Sequence, residues 1–183
     1  FARSGVEEPE NGWTWRQLLE AARKLADRRE RYGFYFHLLS QNRWPIFLLQ
    51  NGCNYSLIRE PRQAELFLES MMLCRELILG QHVSPLLIED GDLQAEQLFV
   101  ENKASMIMTT YFNLNYVDKS AVPMRIVPLP SMKEPCTLLL TIGLGVLRTS
   151  ARKEAAKRFV DYLAQYDSQL YIRRNRTSIP ANR

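Results

Sequence analysis

Residues 137–147 read Thr-Leu-Leu-Leu-Thr-Ile-Gly-Leu-Gly-Val-Leu, a stretch with almost no polar side chain. A strand with one wet face alternates polar and apolar positions. A run without alternation asks to be covered on both faces, as a strand inside a helix-flanked sheet is. It falls well below the ~18 residues of a membrane span. The fold must therefore be layered, with enough helix to cover such a strand.

The rest of the chain supplies the helices. Thr14 can N-cap a helix over 14–27, with Gln17 at the capping-box position. Leu18, Leu19, Ala22 and Leu25 form its apolar stripe, while Arg23, Lys24 and Arg28 fall outside it. Gly33 precedes an aromatic and apolar strand over 33–38. Pro45 suits the first turn of a short helix over 46–50, which Asn51-Gly52 can close. A short extended piece is predicted at 55–59. Pro61 opens a long helix to Leu79, stopped by Gly80, with Ala64, Phe67, Leu68, Met71, Cys74 and Ile78 on one face. After a loop at 83–88, Asp92 can cap a helix to Glu101 with Ala95, Leu98 and Phe99 inward. Strands are predicted at 105–111 and 125–128. Ser150 caps a last helix with Ala156, Phe159, Val160 and Leu163 inward. This order is α/β or α+β.

At 183 residues the chain suits one domain or one and a fraction, and 46% hydrophobic with 24% charged residues excludes a disordered or low-complexity protein. The first residues do not form a signal peptide and include no initiator Met, so the sequence predicts a piece cut from something longer. The net charge of +4 is unevenly spread: residues 61–120 carry 4 basic and 9 acidic side chains, residues 121–183 carry 11 and 4. Arg173, Arg174, Arg176 and Arg183 have no recognition-helix, RNP or zinc-finger pattern around them, so they read as a solvated tail and not as a nucleic-acid surface.

Catalytic and metal chemistry find no footing. Cys53, Cys74 and Cys136 are odd in number and irregularly spaced, which is no disulfide framework and no zinc or redox motif. They read as buried apolar thiols, more usual inside a cell than outside it. His37 and His82 stand far apart without ligand spacing. There is no nucleophile elbow. Gly143-Leu144-Gly145 is a fragment of a dinucleotide fingerprint, but Arg148 stands where the third glycine belongs. Glu89, Asp90 and Asp92 cluster where acids suit a helix start. The expectation is a protein that is not an enzyme and needs neither cofactor nor metal.

Read in order, the landmarks resemble a known family. The opening Phe1–Val6 and the stretch Trp13-Thr14-Trp15-Arg16-Gln17-Leu18-Leu19-Glu20-Ala21-Ala22-Arg23-Lys24-Leu25 are similar to "LFEKAGV…P.TWDELLEAAKKL" of the family 1 extracellular solute-binding proteins, the sugar receptors of ABC importers. Tyr32-Gly33-Phe34, Trp44 and Phe47-Leu48-Leu49-Gln50-Asn51-Gly52 resemble "YGF…W…FLWQNGG"; residues 98–106 resemble "LF..GKAAM". Val127-Pro128-Leu129-Pro130, Thr141–Val146, residues 154–163 and Ser178-Ile179-Pro180-Ala181 complete the series.

The resemblance implies one lobe of a type II periplasmic-binding-protein-like α/β fold, helix-rich with a mixed sheet. Residues 1–136 would be the second lobe, 137–170 a return segment that completes the first lobe, and 171–183 a tail leading to closing helices. It implies a carbohydrate ligand gripped by lobe closure, permease subunits as partners, no nucleic acid, and an extracellular or periplasmic location with any membrane attachment through a lipid anchor outside this stretch. The ligand-binding residues it implies are Gln41, Asn42 and Trp44 before the short helix, Tyr111 and Phe112 at the family's stacking position, and Gly143 and Leu144 on the return strand. Thr110 replaces the family glycine there. The free thiols, the basic content and the thinned aromatic site leave open a second use of the fold, as a cytoplasmic ligand-sensing domain of a transcription regulator.

Overall fold

A computed structural model describes residues 1–27, 30–37, 42–80, 83–85, 95–117, 123–175 and 178–181. Its helices are α1 (Trp15–Leu25), α2 (Trp44–Gln50), α3 (Pro61–Leu79), α4 (Ala95–Val100), α5 (Leu114–Val117), α6 (Lys153–Ala164) and α7 (Tyr166–Arg174). Short 3-10 turns occupy Ala2–Ser4 and Tyr55–Leu57, so the extended piece predicted at 55–59 is a turn instead, capped by the Asn54 side chain accepting from Ser56 N–H.

The core gathers around α1 and α2. Thr14 caps α1 with both arms of the capping box, and Trp15, Leu18, Leu19 and Ala22 bury one face. They meet Phe34 and Phe36, Ile46 and Phe47 of α2, and Cys74, Leu77 and Ile78 of α3. Trp15 lies 4.5 Å from Phe47, which in turn lies 5.6 Å from Phe36, ring to ring. One buried amide locks the assembly. Gln50 accepts from Trp15 Nε1 at 2.7 Å and donates to the carbonyls of Pro130 and Cys136, each at 2.9 Å.

α3 matches its expected ends, but its inward face is rotated. Leu66, Ser70, Cys74, Leu77 and Ile78 are buried, whereas Ala64 and Leu68, expected inside, are exposed. Ser70 can lie inward because its hydroxyl donates to Leu66 O at 2.8 Å and Asn51 Nδ2 donates to it at 3.2 Å.

The predicted strands at 33–38 and 105–111 do run side by side in parallel, at Tyr32 with Ala104 and Tyr35 with Ile107. Both segments advance three residues between these pairings, so the two contacts do not join into one regular ladder. On the other side Phe34 N–H donates to Val83 O. Among the described residues there are such isolated pairings and no continuous strand. Residues 125–128 take no regular secondary structure and lack a β-pairing.

The largest correction concerns residues 137–147. Leu138 packs half-buried against the core, but the run forms no pairing and most of it is exposed: Leu139 is 78% and Ile142 87% exposed. The same holds for α6, which buries no residue and leaves Phe159, expected inward, 61% exposed. Apolar patterning cannot bury a face unless a second surface is present to receive it. The cap of α6 also moves: Arg152 takes the N-cap position and Ser150 Oγ accepts from Arg152 N–H two residues earlier in the chain than the helix start would need.

Candidate functional site

Two segments line one cleft. One is the 104–111 run, leaving its pairing with 32–35 and entering the turn before α5. The other is 123–130, tied down by the Arg125–Glu8 ion pair at 2.9 Å, by Ser131 N–H on Trp13 O, and by Gln50 on Pro130 O. The cleft has a volume of about 940 Å³; Trp13, Trp15, Leu18 and Phe34 line its apolar part. Arg31, Ser105, Thr109, Thr110 and Arg125 bring polar groups to it, and Tyr111 stands on its wall. A concave, mainly apolar surface with a few convergent polar groups suits a polar organic ligand that also has hydrophobic faces.

Beside the cleft lies a buried polar cluster. Glu96 of α4 is 5% exposed; its Oε1 accepts from Thr109 Oγ1 and from Asn113 Nδ2, the latter at 2.8 Å. Arg43, at the N-cap position of α2, is 8% exposed and its Nε has no partner. Burial pulls the guanidinium below its ordinary range, and the charge of Glu96 opposes that shift.

Of the residues nominated from the sequence, Tyr111 and Phe112 sit together on the 110–113 turn, 44% and 53% exposed, with Phe112 edge-on to Tyr116 at 6.2 Å. Asn42 and Trp44 flank Arg43. The Trp44 ring packs edge-on to Phe67 at 6.5 Å, against the small cluster of Leu48, Cys53 and Leu66. Gln41 lies outside the described residues. Gly143 and Leu144 are exposed and are not among the residues lining the cleft. Sequence reasoning missed Glu96 and Arg43. Glu96 neighbours the inward Ala95 on the helix, but a carboxylate there reads as solvated until its donors are seen.

The thiols are free, and burial raises all three; Cys74 is pushed up to about 12. A thiol as buried and raised as Cys74 stays protonated near neutral pH. No group of three metal-ligating side chains occurs among the described residues, and no helix among them is long and apolar enough to cross a membrane.

The family model described as bacterial extracellular solute-binding protein matches residues 1–170. No curated protein matches the chain. Among solved structures, the chain is similar to an ABC substrate-binding protein from Listeria monocytogenes determined in complex with cycloalternan, with a TM-score of 0.80 and 21% identity. The similarity covers 99% of this chain and 48% of that one, so the chain spans about half the length of its structural relative.

Proposed function

The chain belongs to the bacterial extracellular solute-binding protein family, and on that premise we propose that it is part of a carbohydrate receptor that delivers its ligand to an ABC importer. The observation that carries this reading is the cleft whose wall ends at Tyr111, on the turn that also carries the exposed Phe112. Sugar rings present C–H faces that stack on aromatic planes and hydroxyls that need hydrogen-bonding side chains. Thr109, Thr110, Ser105 and Arg31 offer the second kind of group at the same cleft. The fold relative from Listeria was determined with an oligosaccharide bound, which supports this ligand class.

In this reading residues 1–136 are the second lobe, and the isolated parallel pairings belong to a mixed sheet. Residues 137–170 return to complete a first lobe, which would cover Leu139, Ile142 and Leu147. Ligand would draw the two lobes together, so that Gly143 and Leu144 approach it from the far side along with Gln41, Asn42 and Trp44 from the near side. Permease subunits would receive the closed form at the outer membrane face, and a lipid anchor outside this stretch would hold the receptor there.

Calorimetric titration of the 183-residue chain and of the intact gene product with cycloalternan and linear malto-oligosaccharides tests the proposal. The intact product should bind at least one of them, and the chain alone much more weakly. Equally tight binding by the chain alone would refute lobe closure; failure of the intact product across a broad carbohydrate panel would refute the receptor reading.

A further inference from the structure

Glu96 is a carboxylate on a helix of six residues, buried to 5% exposure, and it forms no ion pair within 4.0 Å among the described residues. A buried charge in that condition needs strong hydrogen bonds to persist. Its two donors, Thr109 and Asn113, stand at either end of the turn that carries Thr110, Tyr111 and Phe112. The turn is closed inside this bracket by Asn113 N–H donating to Thr110 O at 3.1 Å and to Thr110 Oγ1 at 3.3 Å.

We infer that Glu96 is a positioning residue: one buried carboxylate, bonded to both ends of the aromatic turn, fixes that turn. The two aromatic rings are exposed, and the turn beneath them sets where each ring starts; Phe112 also rests edge-on to Tyr116. A ligand meeting Tyr111 and Phe112 then finds a preset surface and loses less ordering entropy on binding. The ligand consequence rests on the receptor reading above; the fixing of the turn does not.

The test places p-fluorophenylalanine at position 112 of the intact gene product and records its 19F spectrum in the parent, Glu96→Gln, Glu96→Ala and Asn113→Ala backgrounds. Amide exchange is measured alongside. The parent should give one sharp resonance. Glu96→Ala should broaden or split it and speed exchange of the amides of 113–116 at least tenfold, while α2 and α3 amides keep their protection. Glu96→Gln, which retains an acceptor oxygen without the charge, should rescue the turn in part. A generally destabilised fold would speed α2 and α3 as well, so that pattern, or a parent-like spectrum and exchange in Glu96→Ala, overturns the inference. If Glu96→Ala does not fold, Glu96→Gln and Asn113→Ala decide by the same two readouts. Titration with cycloalternan adds the ligand arm: Glu96→Gln should weaken binding about tenfold. If the parent does not bind cycloalternan, the ligand arm uses the carbohydrate of the panel above that it binds; failure across that panel refutes the receptor reading, while the 19F and exchange results decide the role of Glu96.

Discussion

The buried members of the three hydrophobic clusters all lie between Trp15 and Met108, whereas from Ser131 onward no described residue is buried. Yet α6 is as plainly amphipathic in sequence as α1: Phe159, Val160 and Leu163 repeat the spacing logic of Leu18, Leu19 and Ala22. Pattern is equal in the two regions and outcome is opposite. α1 meets Phe34, Phe47 and Ile78; α6 meets α7 and little else. Amphipathicity is thus an offer of a surface, and stability comes only where a second surface takes it up.

The contrast breaks most sharply on paired truncations. Phe47→Ala removes a fully buried ring between Trp15 and Phe36 and should cost about 3–5 kcal/mol in urea unfolding, whereas Phe159→Ala should change stability by less than about 0.5 kcal/mol. Comparable costs at the two positions would mean that α6 is packed in solution. Next in size is Gln50→Ala, which strands the Trp15 N–H and two carbonyls inside the first region; a loss of about 3 kcal/mol in the same assay is expected. Gly33→Ala follows at about 2 kcal/mol, because a Cβ there would stand 1.9 Å from the Ala22 carbonyl oxygen, a backbone atom that cannot swing aside. Gly143→Ala, with nothing within 4 Å of its Cβ, should leave packing untouched.

The smallest effect is electrostatic. Glu69 is held below the ordinary carboxylate range chiefly by the Asn51 amide, then by Lys133 and Arg62. Its native pKa is depressed, so its contribution is present above the unfolded value of about 4.3 and is lost as pH falls through the native one. Between neutral pH and pH 3 the urea midpoint of Glu69→Gln should therefore fall less than that of the parent. Parallel acid limbs for the two would show that the Asn51–Glu69–Lys133 contacts do not bear on stability.

Where the chain punctuates itself, the fold was legible from sequence. The Thr14–Gln17 box, Pro61 and Gly80 bound α1 and α3 as expected, because caps and prolines act within a few residues. The inward face of α3 was not legible, since Ser70 is inside only by virtue of acceptors and donors that tertiary folding delivers. α7 went unread because Tyr-Asp-Ser-Gln-Leu-Tyr-Ile-Arg-Arg carries no apolar stripe. The strand pairing at 32–35 and 104–107 was legible as two apolar runs, but the three-residue step that interrupts it was not. At the candidate site, the exposed aromatics were visible from a family resemblance; the buried Glu96 and Arg43 were not, because burial of a charge depends on donors and neighbours that sequence spacing does not specify.

Gln50 sets an order of events for a chain made from its N-terminus. Its side chain bonds to positions 35, 80 and 86 residues away in sequence, and the two farthest are still unsynthesised when α1, α2 and α3 are complete. Until Pro130 and Cys136 emerge, the centre of the hydrophobic cluster holds an amide with two of its three side-chain bonds unmet. The helices can gather early, but the core cannot seal until the last third of the chain arrives, so a ribosome-bound intermediate should stay open at the Trp15–Gln50 seam and close in one late step.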